Sequence, residues 1–271
     1  MQVAFWSNYH QTGTTCNLVA VATMTVLKYR IKVLMAHNHF DRSTLETSFI
    51  DRDYVKNELS SLNDVGIDAL SSFAKFNKMD KDNISRYTTT IIRNKLELLA
   101  GTSITNKELY MKDINEVIDI ILSSAKSYYD LIFVDIAPGQ ADVNKKILDL
   151  SDLIVINLNQ NYNIIEHFFE EYGDYKEQCM FLLGRYDKNS RYNVKALQRK
   201  FGIKANNIGL IPYNIEFADA CCEAKAIDFI MRNLKADKDD ANYYFIQEVG
   251  KTAELILKKL GIDISLKKIG D

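Results

Sequence analysis

The sequence predicts a three-layer α/β/α fold built on a mostly parallel, twisted sheet. Short runs that are apolar at nearly every position alternate with longer segments of helical spacing, almost from end to end. Runs without polar alternation suit strands covered on both faces. Strand and helix taking turns along a chain gives parallel neighbours joined by crossover helices. Hydrophobic residues make 47% of the 271 residues and charged residues 26%, which allows a packed core and excludes disorder as the main state.

The elements follow in order. The apolar runs fall at residues 3–6, 31–36, 96–100, 131–135, 153–158, 180–183 and 208–211, and each reads as a buried strand. Segments 15–29, 106–127 and 193–201 have the 3.6-residue spacing of helices. The two prolines, Pro138 and Pro212, follow or close a strand-like run, where a missing N–H costs no ladder bond. Residues 40–90 are polar and the least regular, with one helix expected near 64–76 and a loop that moves. Residues 240–259 carry an apolar stripe through Tyr244, Ile246, Val249, Ala253, Ile256 and Leu260, the mark of a helix lying on the sheet. With no Pro/Ser/Gly-rich linker and no repeat, residues 1–271 are expected to form one domain.

Charge and cysteines narrow the classes of function. Lys and Arg total 34 against 36 Asp and Glu, a net charge of −2, so no overall field recruits nucleic acid. The one cationic cluster of note, Lys195, Arg199, Lys200 and Lys204, reads first as a solvated helix face; DNA binding, which would need a basic patch formed in a dimer, stays open but is not indicated. The four cysteines, Cys16, Cys179, Cys221 and Cys222, form no CxxC pair, and reduced intracellular thiols are expected. The first residues lack the pattern of a secretion signal, and no run approaches the ~20 apolar residues that span a bilayer. A cytoplasmic protein is expected. The tail Leu266-Lys267-Lys268-Ile269 is too short and too weakly cationic to hold a membrane alone.

Chemistry concentrates at the opening stretch, VAFWSNYHQTGTTCNLVAVATM. A buried strand ends near Ser7, a polar loop follows, and a helix begins at Gly13-Thr14-Thr15. Such a junction aims backbone N–H groups and the positive helix end at one point, which suits a phosphate. Thr15 and Cys16 stand where a hydroxyl or thiol faces that anion or its magnesium ion. A second junction, Tyr129 to Gly139, runs an apolar strand into Asp135, placing a carboxylate at the sheet's carboxyl edge.

The two junctions together resemble the MinD/ParA family of dimerising ATPases. That family's deviant Walker A loop reads KGGxGKT followed by Ser or Thr. Its last glycine falls on Gly13, its magnesium-binding threonine on Thr15 and the next residue on Cys16. The stretch YDLIFVDIAPG resembles the family's YDxIIIDxPPG, a Walker B strand ending in Asp135 with the switch II loop at Pro138 and Gly139. Residues 151–157 look like the following strand, 181–187 like the strand that ends in NR, 98–101 like a central strand end, and 209–213 like the IPxD turn beside the base. The likeness runs from residue 2 to about 260 in order and spacing.

The resemblance implies a P-loop fold and a nucleotide site at Gln11, Thr12, Gly13, Thr14, Thr15 and Cys16, with Arg185 and Pro212. It implies Mg-ATP or Mg-ADP as cofactor, with Thr15 on the metal and Asp135 acting through water. The departures bear on turnover. The family's phosphate-binding lysine falls on Thr14, its signature lysine on Tyr9, and its other two glycines on His10 and Gln11. The second strand's DxD acids fall on His37 and His39. Phosphoryl transfer depends on positive charge around the equatorial oxygens, so binding survives these changes and fast hydrolysis does not. Arg185 is the foremost residue to compensate, ahead of Lys145 and Arg191.

Three readings follow. The first is a nucleotide-binding switch or positioning protein with weak or absent hydrolysis. It would work as a homodimer with a protein partner of a positioning, pilus or partitioning system, in the cytoplasm or peripherally at the inner membrane face. The altered loop is more in keeping with the TadZ/CpaE branch. The second is a nucleotide-free pseudo-ATPase scaffold. The third is a metal-dependent enzyme using His37 and His39 with His10 and Asp135.

Overall fold

The computed structural model describes residues 1–40, 43–54, 64–80, 83–173, 175 and 179–269. Eight strands form one sheet: β1 (Gln2–Trp6), β2 (Val33–His37), β3 (Thr89–Ile92), β4 (Leu96–Leu98), β5 (Leu131–Asp135), β6 (Leu153–Leu158), β7 (Cys179–Tyr186) and β8 (Ile208–Pro212). Their order is β3-β4-β2-β5-β1-β6-β7-β8, and every pairing is parallel except β3 with β4. The sheet is mostly parallel and flanked by helices, as the alternating sequence requires. β1, β2, β5 and β6 are buried at every position, which explains their unbroken apolar runs.

The main helices are α1 (Thr14–Lys28), α2 (Gly66–Phe76), α3 (Lys107–Tyr128), α4 (Asp142–Asp149), α5 (Tyr162–Glu171), α6 (Val194–Phe201), α7 (Ile215–Cys222), α8 (Ala226–Asn233), α9 (Tyr243–Lys259) and α10 (Ile264–Lys267). They divide between two cores. One face of the sheet packs against α1, α7, α8 and α9 through residues such as Leu18, Met24, Phe217, Phe229 and Val249. The other packs against α2 to α6 through Leu70, Ile114, Ile147, Phe168 and Leu197. Helix α1 lies between the sheet and α8 and α9, which is why it is apolar nearly all round and buried from Asn17 to Val26.

This division positions the site. β1 and β5 are neighbours, yet the chain leaves β1 toward β2 through α1 on one face and leaves β5 toward β6 through α4 on the other. Right-handed crossovers heading in opposite directions must use opposite faces. Their starting loops therefore diverge and leave a crevice at the carboxyl ends of β1 and β5, the place where open α/β sheets take ligands.

The sequence reading missed β3. Thr89–Ile92 is a half-exposed edge strand, antiparallel to β4 with a register shift between Thr90 and Ile92, so no continuous apolar run marks it. The helix expected at 64–76 is α2. Parts of the irregular 40–90 segment, in which a loop that moves is expected, lie outside the described residues, at 41–42, 55–63 and 81–82. At the other end the tail is stitched to the exit of α1. Arg30 N–H donates to Lys267 O at 2.7 Å and Ile269 N–H to Lys28 O at 2.9 Å. Leu266 stays exposed there. No described helix is long and apolar enough to cross a membrane.

Candidate functional site

The loop after β1 leaves the start of α1 open. Gly13 caps α1 at φ 87°, a left-handed conformation that glycine adopts without a Cβ clash. It offers no side-chain cap, and the first turn of α1 holds no acidic residue. α3, α5, α6 and α7 each begin with an asparagine whose side chain accepts an N–H, Asn106, Asn161, Asn193 and Asn214, whereas α2, α4, α8 and α9 share with α1 the lack of a side-chain cap. Gln11 also takes a left-handed φ of 61° and is exposed, while Thr12 is buried with its hydroxyl 3.1 Å from that of Thr14.

Two side-chain oxygens meet beneath this loop. Thr15 Oγ1 donates to Asp135 Oδ2 at 2.6 Å across the gap between α1 and β5. Asp135 is fully buried, and its second oxygen, Oδ1, has no protein partner. A buried carboxylate oxygen left unpaired is costly unless a cation or a water answers it. A hydroxyl beside such a carboxylate is the oxygen chemistry that a hard cation such as Mg²⁺ takes, with waters and phosphates completing its shell. The residues present fit that ion.

His39 stands next to the same carboxylate, its Nε2 3.3 Å from Asp135 Oδ2. His37 does not join it. Its Nε2 meets Glu46 Oε1 at 2.6 Å, and its Nδ1 accepts the N–H of His39 at 3.2 Å. Both ring nitrogens are therefore spent on protein partners. Among the described residues no group of three or more His, Cys, Asp or Glu is placed to hold a metal ion. The expectation of a His37/His39 metal centre is corrected on that geometry: His37 secures Glu46 instead. Burial pulls the His37 imidazolium down, but the Glu46 charge and hydrogen bond outweigh it and its pKa rises. For Glu46, burial is overcome by His37 and by the Gly101 N–H at 2.9 Å, which hold its carboxyl down at about 2.

The loop after β5 is held by a closed set of carboxamide bonds. Asn38 Oδ1 accepts the Ala137 N–H at 2.8 Å, and its Nδ2 donates to Asn144 Oδ1 at 2.5 Å. Asn144 Nδ2 in turn donates to the carbonyls of Ala137 at 2.8 Å and Gly139 at 3.0 Å. Pro138 and Gly139 are thus presented from a fixed backbone. Both asparagines are buried, and no sequence motif had singled them out.

Cys16 lies in the first turn of α1. Its thiol is drawn down to about 7, first by a hydrogen bond from Cys221 and then, against burial, by the Arg185 guanidinium. Arg185 is exposed at the end of β7, and its Nε lies 3.8 Å from where a Cβ on Gly13 would sit. Pro212 closes β8 in register with Tyr186 of β7. Gly184 is required by close approach, because a Cβ there would meet Asn17 Nδ2 at 2.5 Å. That amide donates to Asn157 Oδ1 at 3.0 Å and ties α1 to β6. Tyr9 and His10 are exposed at the loop's outer side, with the Tyr9 ring edge-on to His167 at 5.1 Å. Asn8 Nδ2 fastens the same stretch to α5 through Ile164 O at 3.0 Å and His167 Nδ1 at 3.0 Å. Lys145 and Arg191 are exposed. On α6, Lys200 pairs with Glu166 at 3.4 Å and lies over the Tyr162 ring, while Lys195, Arg199 and Lys204 are exposed.

Comparison with known proteins agrees with this architecture. No protein-family model and no curated protein matches the chain. Solved structures do. A ParA family ATPase from Chlorobium tepidum TLS superposes with a TM-score of 0.70 at 16% identity, over 93% of this chain and 98% of that one. The septum site-determining protein MinD complexed with Mg-ADP, from Pyrococcus horikoshii OT3, gives 0.67 at 17% identity over 96% and 97%. A chain of the MinC:MinD cell division protein complex of Aquifex aeolicus gives 0.66 at 14% over 95% and 95%. The chain has the fold of the MinD and ParA P-loop ATPases.

Proposed function

We propose that residues 1–271 form one MinD/ParA-like domain that binds a magnesium nucleotide and acts as a switch or positioning protein with weak or absent hydrolysis. The observation that carries this is the pairing of Thr15 Oγ1 with Asp135 at 2.6 Å, with Asp135 Oδ1 unpartnered, under the uncapped start of α1. Phosphate oxygens would meet the N–H groups of residues 11–16, Thr15 would bind Mg²⁺ directly, and Asp135 would hold a water on it. Bound there, the metal neutralises phosphate charge. The base side would be bounded by Pro212 and the end of β7, and Pro138 and Gly139 would face the terminal phosphate. The nucleotide is Mg-ATP or Mg-ADP, in keeping with the Mg-ADP of the Pyrococcus relative in fold.

The absence of Lys and Arg between Ser7 and Cys16 supports slow turnover, since a missing cationic clamp costs orders of magnitude in phosphoryl transfer. Tyr9, where the family's signature lysine falls, packs beside His167 and brings no charge to a partner's phosphates. A homodimer and a protein partner of a positioning, pilus or partitioning system are part of this reading, as is a TadZ/CpaE-like place for the altered loop. The setting is the cytoplasm or the inner membrane face. MinD is solved with a protein partner, MinC, in the Aquifex complex. The second reading, a nucleotide-free scaffold, draws on the same lack of lysines.

Calorimetric titration with Mg-ATP and Mg-ADP separates the two. Micromolar binding that Thr15→Ala weakens at least tenfold is the expected result. No heat at millimolar nucleotide would leave the scaffold.

A further inference from the structure

The loop that should cradle phosphate carries no lysine or arginine of its own, yet one guanidinium reaches it from elsewhere in the chain. Arg185 sits where the pairing of β7 with β8 shifts register between Leu183 and Tyr186. Its φ of 49° lies in the left-handed region, unfavourable for a residue with a Cβ and not required by any turn glycine. A bulge re-aims the side chain it contains. Here the result is that Arg185 Nε lies against Gly13, the left-handed cap of α1. Among the described residues Arg185 makes no ion pair. A strained, unpaired cation laid over an uncapped helix start has no evident packing role. Beside the same helix turn, the buried Asp135 keeps one oxygen, Oδ1, without a protein partner, while Thr15 from the first turn of α1 and His39 approach its other oxygen.

A ligand that answers both the guanidinium and the free carboxylate oxygen would carry anionic oxygens and a cation together, which is the chemistry of a magnesium-bound polyphosphate. We propose that Arg185 supplies, from its own subunit, the positive charge the loop lacks, clamping the phosphates of a bound nucleotide against the N-terminus of α1. The bulge in β7 holds the guanidinium ready before binding. This rests on the nucleotide reading above and specifies which group replaces a loop lysine. It also makes nucleotide binding independent of a charge from a second copy.

The test is titration of the full chain with Mg-ADP and Mg-ATP, alongside thermal melting, for Arg185→Gln, Arg185→Lys and Arg185→Gly. Loss of the guanidinium is expected to weaken both nucleotides by about 10- to 100-fold, the size of a charge-assisted phosphate contact. Arg185→Lys should recover part of that loss. Arg185→Gly relaxes the left-handed backbone, so it should melt at or above the wild-type temperature while binding as weakly as Arg185→Gln. Wild-type affinity retained in Arg185→Gln overturns the clamp and leaves the nucleotide site standing. Arg185→Lys binding no better than Arg185→Gln, with Arg185→Gly melting below wild type, also overturns it and assigns Arg185 to the fold. Failure of the wild type itself to bind either nucleotide overturns the site and the clamp together.

Discussion

Two loops leave neighbouring strands at the same edge of the sheet and are built in opposite ways. The loop after β5 holds itself: Asn38 and Asn144 satisfy the N–H of Ala137 and the carbonyls of Ala137 and Gly139. Among the described residues, the side-chain ties of the loop after β1 to other elements lie at its outer side, where Asn8 bonds to α5, and at Gly13 it opens the start of α1 without a cap. One presents a fixed backbone, the other an unfilled set of donors. The contrast teaches that the crevice has a preformed wall and a receptive wall. A ligand in it would complete the second without disturbing the first.

The contrast breaks most sharply at Asn144. Replacing it with alanine strips partners from Asn38 and from two carbonyls in a buried setting, which is expected to cost about 2–4 kcal/mol. Urea unfolding measures this, and amide exchange at Ala137 should quicken in the same variant; a loss under 1 kcal/mol would mean the wall is not held by these bonds.

Gly13→Ala attacks the receptive wall. The new methyl would lie 3.8 Å from Arg185 Nε, an ordinary contact, so the effect is conformational: about 1–2 kcal/mol from a left-handed φ of 87°. A thermal melt unchanged by this substitution would show that the loop can relax around it.

A smaller effect sharpens the comparison through pH, since His37 and Glu46 secure the end of β2 from which Asn38 projects. The Glu46 carboxyl is depressed to about 2, so its contribution is present above the ordinary carboxylate range and is lost as pH falls toward 2. The His37 pKa is raised, so its contribution is complete below about 6.5 and is lost as pH rises through the folded value. Their joint contribution is greatest between roughly pH 5 and 6.5, and Glu46→Gln should flatten the acid limb of a melting-temperature profile. An acid limb as steep as the wild type's would assign it to other carboxylates.

The fold and part of the candidate site were legible along the chain. Strands buried on both faces need unbroken apolar residues, so β1, β2, β5, β6 and β8 announced themselves. A strand that turns directly into a helix pointed to Gly13 and Thr15, and an apolar run ending in a carboxylate pointed to Asp135. The rest depended on residues that no local pattern marks. Asn38 and Asn144 lie 106 positions apart and meet only because β2 and β5 pair. Glu46 sits in a polar stretch without periodicity, and His37, read as a metal ligand, is its partner instead. β3 is short and half-exposed, so burial left no trace on its sequence.

By itself, then, the sequence determined the layered parallel sheet, the open helix start at Gly13 and the carboxylate at Asp135, because burial and backbone geometry act on residues near one another in the chain. Only the tertiary structure decided the strand order, the carboxamide staple on the loop after β5, the capture of His37 by Glu46 and the reach of Arg185 over Gly13. Those depend on which distant segments the crossovers bring within hydrogen-bond or charge range, and range in space is what a linear order of residues does not contain.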